Sequence, residues 1–249
     1  MPPGADRYDT IGRTYASRRR AEPAWAHTIS QALGGARRVI NVGAGTGNYE
    51  PRDAFVLAVE PSSTMLAQRA ADAAPAVRGV AEALPVRDDS FDAALAILTV
   101  HHWRDPHHGL HELARVAARQ VVVTWDPAAS SGYWLNRDYL PELFEHEAAI
   151  SSLGDVLDVL DVLEVRTLEV PRDCVDGFLG AQWATPEDYL DPAVRAAMSG
   201  LALLDQGVVN DAMARLARDL ADGTWQRRNA ELAELASLDT GFRLVVAGR

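Results

Sequence analysis

From position 38 onward the chain alternates between two patterns. Short, largely apolar runs at residues 39–42, 55–59, 76–80, 91–98 and 120–125 are separated by stretches with a helical rhythm. The run at 91–98 has no polar alternation after its second residue, as expected for a strand covered on both faces. Between the runs, Ser62 opens a predicted helix through Met65, Leu66 and Ala70, and residues 108–118 read as a second helix. Strands alternating with helices predict a mostly parallel sheet with helices on both faces, an α/β fold.

Outside that stretch the rhythm differs. Residues 1–35 read as an arm with one or two helices, rich in Ala, Arg and Tyr. After Asp126 and Pro127, residues 134–150 read as a helix. The triplet run DVLDVLDVLEV (155–165) is too short for a solenoid repeat; its first half reads as helix and its second half leads into a strand through Val170. Residues 183–236 read as helices, with Thr185, Pro186, Glu187 and Asp188 as a start signature. The closing GFRLVVAGR predicts a last strand at 242–247. The expected organisation is an arm (1–37), a sheet domain (38–182 with 237–249) and a helical lid (183–236).

Composition narrows the classes. The 249 residues are 48% hydrophobic, enough for a large core, and carry a net charge of -11. An acidic chain lacks the basic face that phosphate contact requires; Arg18, Arg19 and Arg20 read as a solvated helix face. The lone cysteine, Cys174, allows no internal disulfide and no cysteine-based zinc site. His107 and His111 share a helical face, but no carboxylate spacing supports a metal there, so none is expected. With no signal-like start and no long apolar span, a soluble, cytoplasmic protein with no membrane contact is expected. Oligomeric state is not readable.

The candidate chemistry lies in VINVGAGTGNYE, residues 39–50. Gly43, Gly45 and Gly47 allow a sharp turn and close approach to a ligand. A dinucleotide site wants G-x-G-x-x-G; here the sixth position is Asn48, which argues against an NAD-dependent oxidoreductase. Glu60 ends the next apolar run, where a carboxylate can accept both hydroxyls of a ribose. AEALPVRDDSFD (81–92) follows as an acidic loop able to bring the Ala81 amide and the Glu82 side chain near an adenine edge.

In this order, VINVGAGTG, VLAVEPSSTML, GVAEALPVRDDSFD, LTVHHW and ELARVAARQVVVTW resemble the class I S-adenosylmethionine-dependent methyltransferases. The nearest flavour is the type 11, ubiquinone/menaquinone-biosynthesis-like small-molecule group, and the likeness runs over about residues 38–126. It implies a Rossmann-like seven-stranded sheet, S-adenosyl-L-methionine as cofactor and in-line methyl transfer to a small-molecule acceptor. The alternative is a non-catalytic module that binds S-adenosylmethionine or S-adenosylhomocysteine. The implied cofactor residues are Asn41, Gly43, Ala44, Gly45, Thr46 and Gly47 in the loop, Glu60, Pro61 and Met65 beyond the second strand, and Ala81, Glu82 and Ala83 in the acidic loop. Leu98 and Thr99 would wall the methionine end, and Tyr15 and Arg19 of the arm would meet its carboxylate. Met65 is equally a core position, and Tyr15 and Arg19 are equally packing residues.

His101 and His102 follow the fourth strand, and either could be a general base or orient a loop. Trp103, Trp125, Trp134 and Trp183 are candidates for an acceptor pocket or for packing. Two features depart from the family pattern. Pro51 shortens the expected first helix to about one turn, and Asn41 stands where relatives often have an acid.

Overall fold

The computed structural model describes residues 19–196 and 198–249; Tyr15 lies outside them. Among the described residues nine strands follow in chain order: β1 (Arg38–Val42), β2 (Phe55–Glu60), β3 (Ala76–Arg78), β4 (Phe91–Ile97), β5 (Ala117–Trp125), β6 (Val162–Thr167), β7 (Val170–Pro171), β8 (Ser237–Leu238) and β9 (Phe242–Gly248). Seven form one sheet in the order β3-β2-β1-β4-β5-β9-β6. Strands β1 to β5 pair in parallel, and β9 runs antiparallel to both β5 and β6. This is the mostly parallel α/β sheet that the alternating pattern predicts, with the seven Rossmann-like strands that the resemblance implies. The chain winds outward from β1 in one direction and from β4 in the other. The β1/β4 boundary is therefore the switch point at whose carboxyl edge open α/β sheets hold their ligands.

Each strand feeds two cores because its successive side chains point to opposite faces. On β1, Val39 joins one buried cluster and Ile40 and Val42 the other. The first face is covered by α1 (Pro23–Ala32) through Trp25 and Ile29. The second is covered by α3 through Leu110, Leu113 and Val116 (Pro106–Val116). Between these lies the short α2 (Ser63–Ala67). Each helix start is written locally. Glu22, Ser62 and Asp105 cap α1, α2 and α3 by accepting the amides of Ala24, Met65 and His108, and Pro23 and Pro106 occupy first-turn positions that need no donor.

Several boundaries differ from the pattern. α2 ends at Ala67 rather than Ala70. α3 stops at Val116, because Ala117 already pairs with Phe91 in the sheet. Residues 134–150 split into a wide turn at Leu135–Tyr139 and α4 (Pro141–Ile150). Pro141 disfavours helical backbone at Leu140, whose φ is -135°. The triplet run divides into α5 (Leu153–Val159) and β6, but the strand ends at Thr167 instead of running through Val170, which begins the separate β7. Thr185 caps no amide; its hydroxyl donates to Asp188 instead (2.7 Å). Residues 43–54 contain no helix at all, a stronger departure than the single turn expected before Pro51.

β7 and β8 pair with each other and close the base of a helical insertion that includes α6 (Gln206–Ala221). This insertion packs on residues 133–150. Tyr133 and Tyr189 share a hydroxyl hydrogen bond (2.8 Å), Trp134 Nε1 donates to the Trp183 carbonyl (3.0 Å), and Tyr139 donates to Asp219 (2.8 Å). The helical layer over the sheet edge therefore draws on two segments, not on 183–236 alone. Among the described residues no helix is long and apolar enough to cross a membrane.

Candidate functional site

The carboxyl ends of β1, β2 and β4 open onto a cavity of about 430 Å³. Its floor is the glycine loop. Gly43, Gly45 and Gly47 all have positive φ (67°, 53° and 90°), a backbone region that side-chain-bearing residues avoid. The amides of Gly43 and Ala44 both donate to the Val59 carbonyl (2.8 and 3.1 Å), which folds the loop over the end of β2. The buried Glu60 carboxylate then ties loop to helix. Oε2 accepts the Gly45 amide (2.8 Å) and Oε1 the Ser62 amide (2.9 Å). Met65, 3% exposed, packs against Gly45 from α2.

Asn41, Gly43, Ala44, Gly45, Thr46, Glu60, Pro61 and Met65 line this cavity. So do Ala81, Glu82, Leu98, Thr99, His102 and Arg19. Gly47 and Ala83, although expected at the cofactor, are not on its wall. Gly47 has a different task. A Cβ there would lie 2.9 Å from Glu50 Oε2 and 3.0 Å from Arg69 Nη1. Those two side chains form a buried ion pair (2.8 Å), and Asn41 Nδ2 also donates to Glu50 (3.1 Å). Arg69 Nη1 reaches the Gly45 carbonyl as well (3.3 Å). With no helix after β1, this ion pair braces the loop from behind. Asn41 thus stands beside an acid supplied by Glu50 instead of being one.

Glu82 Oε1 accepts the amides of Arg104 and Asp105 (2.7 and 3.1 Å). The carboxylate thereby fixes the loop that carries Trp103, another wall residue. Asn48, Tyr49 and His108 also line the cavity; Asn48 and Tyr49 belong to the glycine-loop stretch but are not among the expected cofactor residues.

A second cavity of about 90 Å³ adjoins the first, sharing Arg19, Leu98 and His102. Leu98 is the hinge between them. Its φ of 50° puts a non-glycine residue in the left-handed region, a strain of order 1–2 kcal/mol. His101 faces only the second cavity. Its ring lies 3.7 Å from that of His102 and 4.6 Å from that of Trp125. Trp125, Tyr133, Phe178 and Phe242 give this cavity aromatic walls. Trp134 and Trp183 are core residues instead (1% and 0% exposed), their indole N–H groups bonded to backbone carbonyls. His107 is occupied with Asp155 (3.0 Å).

Two acids complete the region. Asp176, 1% exposed, accepts Arg19 Nε (2.6 Å) and Nη2 (3.1 Å), the Tyr49 hydroxyl (2.8 Å) and the amides of Arg20 and Gly177. Burial, reinforced by the Asp176 charge, pushes the Tyr49 phenol up. Glu147 of α4 lines the second cavity, where burial pushes its carboxyl up to about 8. A sequence signal for it exists: Leu143, Glu147 and Ile150 fall on one helical face, so an acid occupies an inward position.

Comparison with known proteins follows the same ground. Residues 40–123 match the family described as "Methyltransferase domain". An uncharacterized methyltransferase of Mycobacterium tuberculosis is 40% identical over 87 residues, 32% of this chain and 35% of the relative; the same figures hold for a Mycobacterium bovis protein. The chain thus covers only about a third (35%) of the length of these curated relatives. A crystal structure from Anabaena variabilis, of a candidate methyltransferase from an antibiotic biosynthesis pathway, is similar over 93% of this chain and 99% of that one. Its TM-score is 0.85 at 29% identity. The cyclase SpnF is similar over 100% of this chain and 97% of its own, with a TM-score of 0.52 at 14% identity, a likeness of fold alone.

Proposed function

We propose that the chain, whose residues 40–123 match a methyltransferase domain, is a class I S-adenosylmethionine-dependent methyltransferase that transfers a methyl group to a small-molecule acceptor of biosynthetic metabolism, a reading that its relatives support. The observation that carries this reading is the pairing of two adjoining cavities across Leu98 and His102. The larger suits the cofactor and the smaller, aromatic-walled one the acceptor. The antibiotic-pathway setting of the Anabaena relative supports a small acceptor.

The residues present fit the cofactor. Gly43 is a cradle with no space to spare: a Cβ added there would lie 1.9 Å from Thr99 Oγ1. Glu60 stands at the strand end where its carboxylate can receive ribose hydroxyls. Met65 and Ala81 offer apolar flanks for a base, and Glu82 holds the loop beside it. Asn41, Ala44, Gly45, Thr46 and Thr99 would surround the methionine end, with Pro61 at the ribose side. Arg19, held by Asp176, borders both cavities and would face the carboxylate. S-Adenosylmethionine, when bound, supplies a methyl carbon activated by a positive sulfur. The protein's part is to align the acceptor and exclude water, and positioning of this kind supplies roughly 7–11 kcal/mol of a barrier. His102, on both walls, and His101, on the acceptor side, would orient the acceptor or take its proton.

Calorimetric titration with S-adenosylmethionine, S-adenosylhomocysteine and NAD tests this reading. Binding of the two sulfur nucleosides, weakened by Glu60→Ala, together with no binding of NAD, is the expected result. Transfer of labelled methyl to an acceptor then separates an enzyme from a non-catalytic binding module. Failure of both nucleosides to bind would sink the proposal.

A further inference from the structure

We infer that Glu147 is the acceptor-recognition residue and that the acceptor is an amine, its nitrogen held at the Glu147 carboxyl group between the aromatic walls of the second cavity. This rests on the reading of that cavity as the acceptor site. Among the described residues, Glu147 and Arg19 are the only Asp, Glu, Lys or Arg on its wall, and Arg19 is paired with Asp176 at 2.6 Å. Among the described residues no Lys or Arg pairs with Glu147, and no donor reaches its carboxylate. An acid brought among Trp125, Tyr133, Phe178 and Phe242 without a partner is a poor structural choice, since burial of a charge is costly unless it is paired.

The same surroundings are well suited to an ammonium group. Aromatic faces attract a desolvated cation, and the carboxylate supplies the counter-charge. A neutral alcohol would gain only a hydrogen bond there, and a carboxylate ligand would bring a second acidic group into the aromatic space with no cation to balance it. Among the described residues, the other titratable groups that face this space, besides Arg19, are His101 and His102 from the turn after β4, and Tyr133, which is bonded to the neighbouring Tyr189. Burial pushes both the Tyr133 and Tyr189 phenols up, with the Glu147 charge adding to it, so neither phenol supplies a competing anion. Burial alone raises the Glu147 carboxyl, to about 8, so near neutral pH it is an acid awaiting a cation. Pairing with an ammonium ion ionises it and releases its proton. The carboxylate so formed then accepts an ammonium N–H and can take that proton, leaving the nitrogen lone pair uncovered toward the shared wall at Leu98 and His102.

The test uses the full chain loaded with S-adenosylhomocysteine, titrated calorimetrically with phenethylamine, 2-phenylethanol and 3-phenylpropionate. The amine is expected to bind at least about tenfold more tightly than either neighbour, with the preference abolished in Glu147→Gln. Wild-type titrations in two buffers of different ionisation enthalpy give a readout that needs no variant. Near neutral pH, amine binding should release roughly one proton and alcohol binding none. An amine that binds no better than the alcohol, no proton release, or a preference that survives in Glu147→Gln would overturn the inference. Failure of S-adenosylhomocysteine to bind would overturn the cofactor reading instead, and the amine titration can still be read on the unloaded protein.

Discussion

Gly43 packs so closely on Thr99 that a methyl group added to it would lie 1.9 Å from the threonine hydroxyl oxygen and 2.8 Å from its Cβ. The glycine also has φ of 67°. Gly43→Ala therefore meets both a clash across the cofactor cradle and a backbone penalty. A loss of about 1–3 kcal/mol in stability and of at least about tenfold in S-adenosylhomocysteine affinity is expected. Thr99→Ala in the same background removes the hydroxyl contact at 1.9 Å but keeps the Cβ contact at 2.8 Å and the backbone strain, so it should restore only part of the loss. Thermal melts with and without ligand check both statements.

Gly47 makes a contrasting prediction. It too has positive φ, at 90°, but its neighbours are Glu50 and Arg69 rather than the cavity. Gly47→Ala should lower stability by a similar amount, about 1–2 kcal/mol, through the disturbed ion pair, while changing cofactor affinity less than Gly43→Ala. If the two variants lose affinity equally, the loop moves as one body and the ion pair is part of the cradle.

These two glycines mark how far the site is legible in the sequence. The glycine loop, Glu60 and the acidic loop can be read because each is a local signal, set by its place after a strand, and the strand order then brings them to one edge. Gly47 belongs to the same motif but turns to the back of the loop, a distinction that spacing cannot make. Asp176 meets Arg19 across 157 positions, and Glu147 reaches the second cavity from a helix outside the alternating pattern. Asp176 has no local signal at all, and the helical face shared by Leu143, Glu147 and Ile150 marks Glu147 as inward-facing without saying which cavity it meets. The helix boundary at Pro141 was written locally, whereas the start of β5 at Ala117 was decided by its partner Phe91.

Asp176 joins the described start of the chain to the segment after β7. Its side chain is fully buried and Arg19 is 10% exposed. Asp176→Ala removes the acceptor of two Arg19 contacts and of the Tyr49 hydroxyl, and about 3–5 kcal/mol of stability should be lost. Tyr49→Phe removes one donor to Asp176 and the acceptor of the Glu22 amide, and should lose about 1–3 kcal/mol. The two should be coupled, so the double variant is expected to lose less than the sum. Urea unfolding of the four proteins measures this, and strict additivity would contradict the network.

Glu147 predicts an inverse pH dependence of stability. Its carboxyl is raised by burial from 4.5 to about 8. Below about 4.5 both folded and unfolded chains hold the proton, and the group contributes no pH dependence. Between about 4.5 and about 8 the unfolded chain has released the proton and the folded chain has not. Raising the pH through this window therefore destabilises the fold, with a limiting slope of about 1.4 kcal/mol per pH unit. Glu147→Gln removes the group, so its stability relative to wild type should climb from about pH 5 to about pH 8 and level off above. The difference between the two urea-unfolding curves isolates Glu147 from every other titrating residue. A difference that does not change with pH would mean that water reaches the carboxylate and that the second cavity does not hold it as an acid.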